Sequence, residues 1–372
     1  MGIVLLPQKF YDKMDTQMAL LASIASHTGS GGMEITSWDD LQRIVRMGVA
    51  SKILTVNDQL VAKYNGVDTV FDVIGIDHDT PTDPRFTHSL TLQPHNCILN
   101  AQFDAPEALY YAEAELVAGE QIFTLNSLKY KFTTAQNTPE GGQVVVSAWQ
   151  SADGAGQYVP TKITTYGADR TTPIDSNLTV ESVESGEDTL ALVNHHQRCR
   201  YGSNNYKESA IRQWLNSEAS SFAWTPKTNF DRPPSGAPYT GAGFLKLLDP
   251  ELVAVLGAVD KQVARNTVTD NGGQDLFSDK VFLLSRVEVF GGTEGTTTGE
   301  QAYPYYSTLA ANPTTGALSG RIKYLNSTAR YWWLRSPYTG TAYSPRCVNT
   351  SGAVNYNGAS DANGAAPACC IV

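Results

Sequence analysis

The sequence predicts an α+β protein, and three observations carry the prediction. Short runs rich in Val, Ile, Phe and Tyr recur between Asn, Gly and Pro clusters, as strands joined by turns do. A few separate stretches instead space apolar residues three or four apart, as amphipathic helices do. An apolar share of 41% over 372 residues is enough for a sizeable buried core, in one large domain or two ordinary ones.

Taken in order, residues 9–27 carry Phe10, Met14, Met18, Leu21, Ala22 and Ala25 at helical spacing and end at the breaker Gly29-Ser30-Gly31-Gly32. Residues 1–34 are therefore predicted to be a helix and a Gly-rich hinge, used for homo-oligomer formation or attachment, or else packed on the chain's own domain. Ser37 precedes Trp38, with Asp39 and Asp40 behind it, so a capped helix should run to about Gly48. The period then changes. Residues 53–56, 60–64 and 69–76 read as strands of a meander, divided by Asn57-Asp58 and by Asn65-Gly66-Val67-Asp68. Strand-like runs continue at 121–125, 130–133 and 143–147 within a β-rich stretch of about 100–190. Helical spacing returns at 208–216 and from Gly243 to about Val263, where Pro250 should divide two helices because proline suits a first turn and not an interior. Residues 280–285 and 331–337 are strand candidates, the second densely aromatic, and 368–372 form a last apolar strand.

A formal charge of −10, with Lys and Arg scattered along the chain, excludes a nucleic-acid footprint and an anionic membrane surface. No apolar run approaches the roughly twenty residues of a membrane span, and Ile3-Val4-Leu5-Leu6 lacks the features of a signal peptide. The partners expected are a surface protein or a glycan. Five cysteines, Cys97, Cys199, Cys347, Cys369 and Cys370, are sparse and odd in number, so no disulfide framework is expected. The adjacent Cys369 and Cys370 read as small buried hydrophobes. Asp77-His78-Asp79 and His195-His196 read as polar strand ends, since neither offers three or four convergent ligands, and no metal or cofactor is expected.

Residues 338–362, YTGTAYSPRCVNTSGAVNYNGASDA, contain no Leu, Ile, Phe, His, Lys, Glu, Gln, Met or Trp. Every residue type present can be reached from an asparagine codon ending in a pyrimidine by changing its two adenines, whereas Lys, Glu, Gln, Met and Trp cannot. That is the fingerprint of adenine-directed mutagenesis, although an ordinary polar loop region would share much of the alphabet. The flanks add to it: Tyr331-Trp332-Trp333-Leu334-Arg335-Ser336-Pro337, Val348-Asn349, Gly352, Val354, Asn355 to Ser360, Asn363-Gly364 and Pro367-Ala368-Cys369-Cys370. In this order they resemble the C-terminal half of the variable proteins of diversity-generating retroelements, found in phages and gut bacteria. Residues 38–45, 71–79, 211–216 and 281–285 also resemble that family, so the likeness covers about 35–372.

The resemblance implies a C-type-lectin-like fold with an inserted β-rich segment, a 35–372 ligand-binding domain, and a hypervariable region at about 338–362. It further implies receptor binding without enzymatic activity, on a phage virion or a cell surface. Trp332, Trp333 and Leu334 would fill the core, Arg335 would tie loops together through its forked donors, and Val348, Val354 and Ile371 would anchor short strands. Tyr338, Thr339, Thr341, Ala342, Tyr343, Ser344, Arg346, Ser351, Asn355, Tyr356, Asn357 and Asp361 would form one ligand-binding patch, joined by turns at 350–352 and 357–358. Two alternatives stay open: an oxidoreductase like the formylglycine-generating enzymes, which share the fold, and a structural virion component. No calcium signature of sugar-binding lectins is present.

Overall fold

The computed structural model describes residues 37–151, 158–227, 231–295, 297–309 and 319–372. The helix and hinge expected over 1–34 lie outside them. Two five-stranded sheets organise the body. The first begins at a tight hairpin: Asn65 and Gly66, at φ 49° and 78°, turn Gln59–Tyr64 back onto Val67–Ile76, the positive-φ pair a two-residue turn requires. Leu90–Pro94, Ala368–Ile371 and Val281–Phe282 follow across this antiparallel sheet.

The second sheet runs Val354–Tyr356, Pro345–Val348, Trp332–Pro337, Ala362–Ala365 and Leu99–Gln102. Trp332–Pro337 pairs in parallel with Ala362–Ala365 and antiparallel with Pro345–Val348. Side chains alternate across a strand, and here both faces are covered. Trp333 and Cys347 join a cluster with Phe71, Leu92, Trp214 and Leu252, while Trp332, Leu334 and Val348 join another with Ile74, Phe282 and Tyr306. Both indole N–H groups are satisfied, Trp332 donating to the Arg321 carbonyl at 2.9 Å and Trp333 to that of Ala101 at 2.8 Å.

Short helices close these cores. Trp38–Arg46 is capped by Ser37, Ala210–Leu215 by Ser209, and Arg286–Phe290 by a capping box of Ser285 and Glu288. Phe244–Leu247 and Pro250–Val255 are divided at the proline as expected. Between 110 and 183 the chain forms an inserted module. Tyr110–Tyr111, Gln143–Ser151, Tyr158–Tyr166 and Leu178–Thr179 make one sheet, and Gly119–Leu125, Leu128–Thr134 and Glu181–Val183 another. These pack around a separate cluster that includes Phe123, Phe132, Val144 and Ile163.

Among the described residues the fold is thus mixed α+β and rich in sheet, with no closed barrel. Among the described residues no helix is long and apolar enough to cross a membrane. Three local expectations are corrected. Residues 53–56 form no strand: the Ala50–Lys52 turn leads into a loop in which Asp58 accepts from the Thr55 N–H at 2.7 Å. The helical spacing seen to Val263 ends at Val255, and Val259–Ala264 is a strand paired with Gln274–Asp279. Val354, expected to anchor its strand, is instead exposed on the edge of the second sheet.

Candidate binding face

Residues 338–361 connect Trp332–Pro337 to Ala362–Ala365 and supply the two outer strands of the second sheet on the way, Pro345–Val348 and Val354–Tyr356, so both ends are fixed in neighbouring strands. In between, the segment is held mainly by its backbone. The fully buried Asn204 donates from Nδ2 to the carbonyls of Thr341 at 2.7 Å, Ser344 at 3.2 Å and Tyr338 at 3.4 Å. The N–H groups of Asn204, Thr267 and Ala359 meet the carbonyls of Ala342, Thr339 and Tyr343. Asn349 Oδ1 accepts from the N–H groups of Ser351 and Ala353 and closes the turn expected at 350–352, with Gly352 at φ 82°. The turn at 357–358 is tied by Asp361, which accepts from the Gly358 N–H at 3.1 Å. Gly358 sits so close to Tyr201 that a Cβ would lie 2.9 Å from its ring.

On this frame the predicted residues separate. Tyr338 and Tyr356 stack with ring centroids 4.7 Å apart, and the Arg346 guanidinium lies 4.5 Å from the Tyr338 centroid. Arg346, opposite Tyr356 in the hairpin, is gripped by both Glu294 oxygens at 3.0 and 3.2 Å. Tyr343 belongs to a second stack, 4.8 Å from Tyr201, whose ring also carries the Arg200 guanidinium at 4.4 Å; Arg200 lies over Tyr158 of the inserted module as well. Thr339, Thr341, Asn357 and Asp361 lie in the two loops between these stacks and are partly or fully exposed.

The remainder do not join them. Ala342 and Ser344 are buried, because the loop turns inward to place their carbonyls on Asn204. Asn355 pairs with Cys347, so strand alternation puts it on the opposite side of the sheet from Tyr356. Ser351 sits in the far turn of the hairpin, bonded to Asn349. The single twelve-residue patch is therefore two aromatic stacks. Sequence reading missed Asn204, Tyr201, Arg200, Tyr158 and Glu294, which support them from distant parts of the chain, and nothing in their local sequence distinguishes them.

A second concavity, a cleft of about 480 Å³, lies beside Asp77, His78, Asp260, Glu300 and Gln301. Asp77, His78 and Asp79 were expected as strand ends, yet the strand stops at Ile76, Asp77 turns at φ 54°, and all three line the cleft. Beneath it, buried Lys261 donates to Asp79, Glu288 and the Tyr303 hydroxyl. Arg335 is wholly buried and, as expected, ties loops together: it reaches the carbonyls of Gln262 and Leu283 and the carboxylates of Glu288 and Glu300. Burial opposes the charge on Glu288, but Arg335 and Lys261 outweigh it and hold the carboxyl well below its usual range. Asp79 is held down in the same way by Lys261 against its burial. The three Lys261 protons and five Arg335 donors are already engaged, so this network serves as a tie between elements.

Cys370 lies 3.3 Å from both Asp79 and Thr91, and burial pushes its thiol well up. Cys369 faces the other cluster, so the adjacent thiols do not converge. Among the described residues no group of His, Cys, Asp and Glu could hold a metal ion.

Fold and face together define a mixed α+β protein that presents aromatic and arginine side chains from a backbone-anchored segment. Residues 179–372, just over half of the chain, match the family described as a domain of unknown function, DUF6273, and the chain belongs to that family. Comparison with curated proteins and with solved structures returns no match.

Proposed function

We propose that the protein is a ligand-binding protein of C-type-lectin-like architecture, diversified by a retroelement, that holds a surface protein or glycan on a host or neighbouring cell. One observation carries this reading: residues 338–344 are positioned largely through their own backbone, with Asn204 bridging the carbonyls of Tyr338, Thr341 and Ser344. The side chains of Tyr338, Thr339 and Tyr343 can change without removing the backbone contacts that hold the loop. The Tyr338–Tyr356–Arg346 stack supplies the anchors, because large rigid aromatics and arginine dominate binding energy while small polar neighbours exclude water. Tyr343 with Tyr201 adds a second contact. An oxidoreductase using two thiols in one cleft is less favoured, since Cys369 and Cys370 face different clusters.

The test is adhesion of labelled protein to candidate cells, untreated, protease-treated or glycosidase-treated. Saturable binding should disappear in the Tyr343→Ala, Tyr356→Ala double variant and after one of the two treatments, while melting changes little. Binding by the folded double variant equal to that of the parent would remove the anchors from the proposal.

A further inference from the structure

The two large sheets end in four outer strands, and three of these are tied or guarded. On Gln59–Tyr64, the Lys63 carbonyl accepts the Asp249 N–H at 2.8 Å, and its ammonium pairs with Asp68. On Val281–Phe282, the Asn216 side chain donates to the Val281 carbonyl at 2.8 Å and accepts its N–H at 3.2 Å. On Leu99–Gln102, the Trp333 indole takes the Ala101 carbonyl and the Tyr239 hydroxyl takes that of Gln102. Such ties and edge charges keep an outer strand from pairing with another chain.

The fourth, Val354–Tyr356, carries neither device. At its two ends the Asn349 N–H reaches the Ala353 carbonyl at 2.8 Å, and the Asn357 N–H reaches that of Pro345 at 3.3 Å. In an antiparallel ladder, bonded pairs alternate with pairs that are not bonded. Through the register Val348↔Val354, Cys347↔Asn355 and Arg346↔Tyr356, that alternation makes Cys347 and Asn355 the bonded pair. Val354 and Tyr356 therefore turn their backbone groups away from Pro345–Val348, off the edge of the sheet. Asn355 Oδ1 accepts the Tyr356 N–H at 2.8 Å. The Val354 N–H and the carbonyls of Val354 and Tyr356 are left without a partner among the described residues. Both side chains stand on one face, exposed by 37% and 47%, and the strand contains no charge, proline or bulge.

We infer that this edge docks an extended segment of a partner polypeptide as an added antiparallel strand. The inference rests on residues 338–361 being the binding face, and it makes the ligand a protein and not a glycan. The Val354 N–H and carbonyl both point outward, so one residue of the incoming strand meets both, and the residue two before it gives its N–H to the Tyr356 carbonyl. Those two partner residues place their side chains beside Val354 and Tyr356, where β-branched and aromatic types pair best. Arg346, in the neighbouring strand, is already matched by Glu294, so the face asks for no acidic side chain. A backbone contact of this kind persists whatever side chains stand at 354–356. The edge gives a constant part of the binding, and the tyrosines select the partner's sequence.

The probe is a set of peptides selected from a random library on the immobilised full-length protein. Bound peptide should slow hydrogen exchange at the Val354 amide. Methylating the peptide's backbone nitrogens one at a time should weaken binding about tenfold or more at alternate positions and little between them. Val354→Pro removes the outward N–H while sparing the bonds to Pro345–Val348, so it should weaken the same peptides about tenfold or more with little change in melting. The edge is overturned if selection yields no peptide, if the Val354 amide exchanges equally fast with peptide bound, or if methylation shows no alternation. These readings need only the parent, so they decide the matter even if Val354→Pro fails to fold. A dimer in which the Val354 amide is already protected without peptide assigns the edge to a second copy and also overturns it. Cell adhesion lost in the Tyr343→Ala, Tyr356→Ala variant but kept in Val354→Pro removes the edge alone and leaves the binding face standing.

Discussion

Replacing Trp333 by alanine, with Tyr356 by alanine beside it, separates frame from display. Trp333 is completely buried, meets Phe103 edge-on at 5.7 Å and donates to the Ala101 carbonyl. Removing a buried Trp costs about 3–5 kcal/mol, and the orphaned carbonyl adds about 1 kcal/mol or more. Roughly 4–6 kcal/mol in all is a large part of the total stability of about 5–15 kcal/mol that ordinary proteins possess. Tyr356 is 47% exposed and touches chiefly Tyr338, so its removal should stay within about 1 kcal/mol. Urea unfolding followed by far-ultraviolet circular dichroism gives both numbers without relying on tryptophan emission. The reasoning fails if Tyr356→Ala moves the midpoint as far as Trp333→Ala, because the segment would then be part of the core.

Two further outcomes follow from buried groups. Arg335→Ala removes the ion-pair partner of Glu300, leaves Glu288 to Lys261 alone among cations, and leaves the Gln262 and Leu283 carbonyls unmet, so it should lose about 3–5 kcal/mol and most soluble yield; Arg335→Lys should not rescue it, since three donors cannot replace five. A melting curve unchanged from the parent would refute the tie. All five cysteines are buried and free, with Cys97 pushed up to about 11 and Cys347 and Cys369 to about 12 by burial. Ellman's reagent should therefore find no fast thiol in the native protein and five after denaturation, and one fast native thiol would contradict the packing.

Local signals were legible where local chemistry sets the structure. Ser37 and Pro250 mark helix starts, Asn65-Gly66 marks a hairpin, and Trp332-Trp333 marks a strand buried on both sides. The strand Leu90–Pro94 escaped because buried Thr91 and Gln93 look like surface residues. Gln93 is satisfied by Ala366 and Tyr306, more than two hundred positions away. Val259–Ala264 was hidden because Val255, Leu256, Val259 and Val263 also fit a helical period. The candidate face was legible as a segment and not as a surface. Its composition marks 338–362, but strand alternation removed Asn355, inward turning removed Ala342 and Ser344, and the partners Tyr201 and Glu294 come from elsewhere.

The middle of the first sheet carries a consequence for how the chain reaches this state. Ala368–Ile371 pairs with Leu90–Pro94, so one of its central seams joins segments more than two hundred positions apart in the chain, as Cys369 opposite Leu92 shows. The inserted module is built from neighbours, with Leu125 and Leu128 closing one hairpin and a separate cluster at its centre. Contacts between near neighbours close quickly, whereas distant pairings wait on a long search. Refolding should accordingly show a fast phase in which the module gains its secondary structure. A slower phase should follow, in which the body locks and Trp332 and Trp333 leave water.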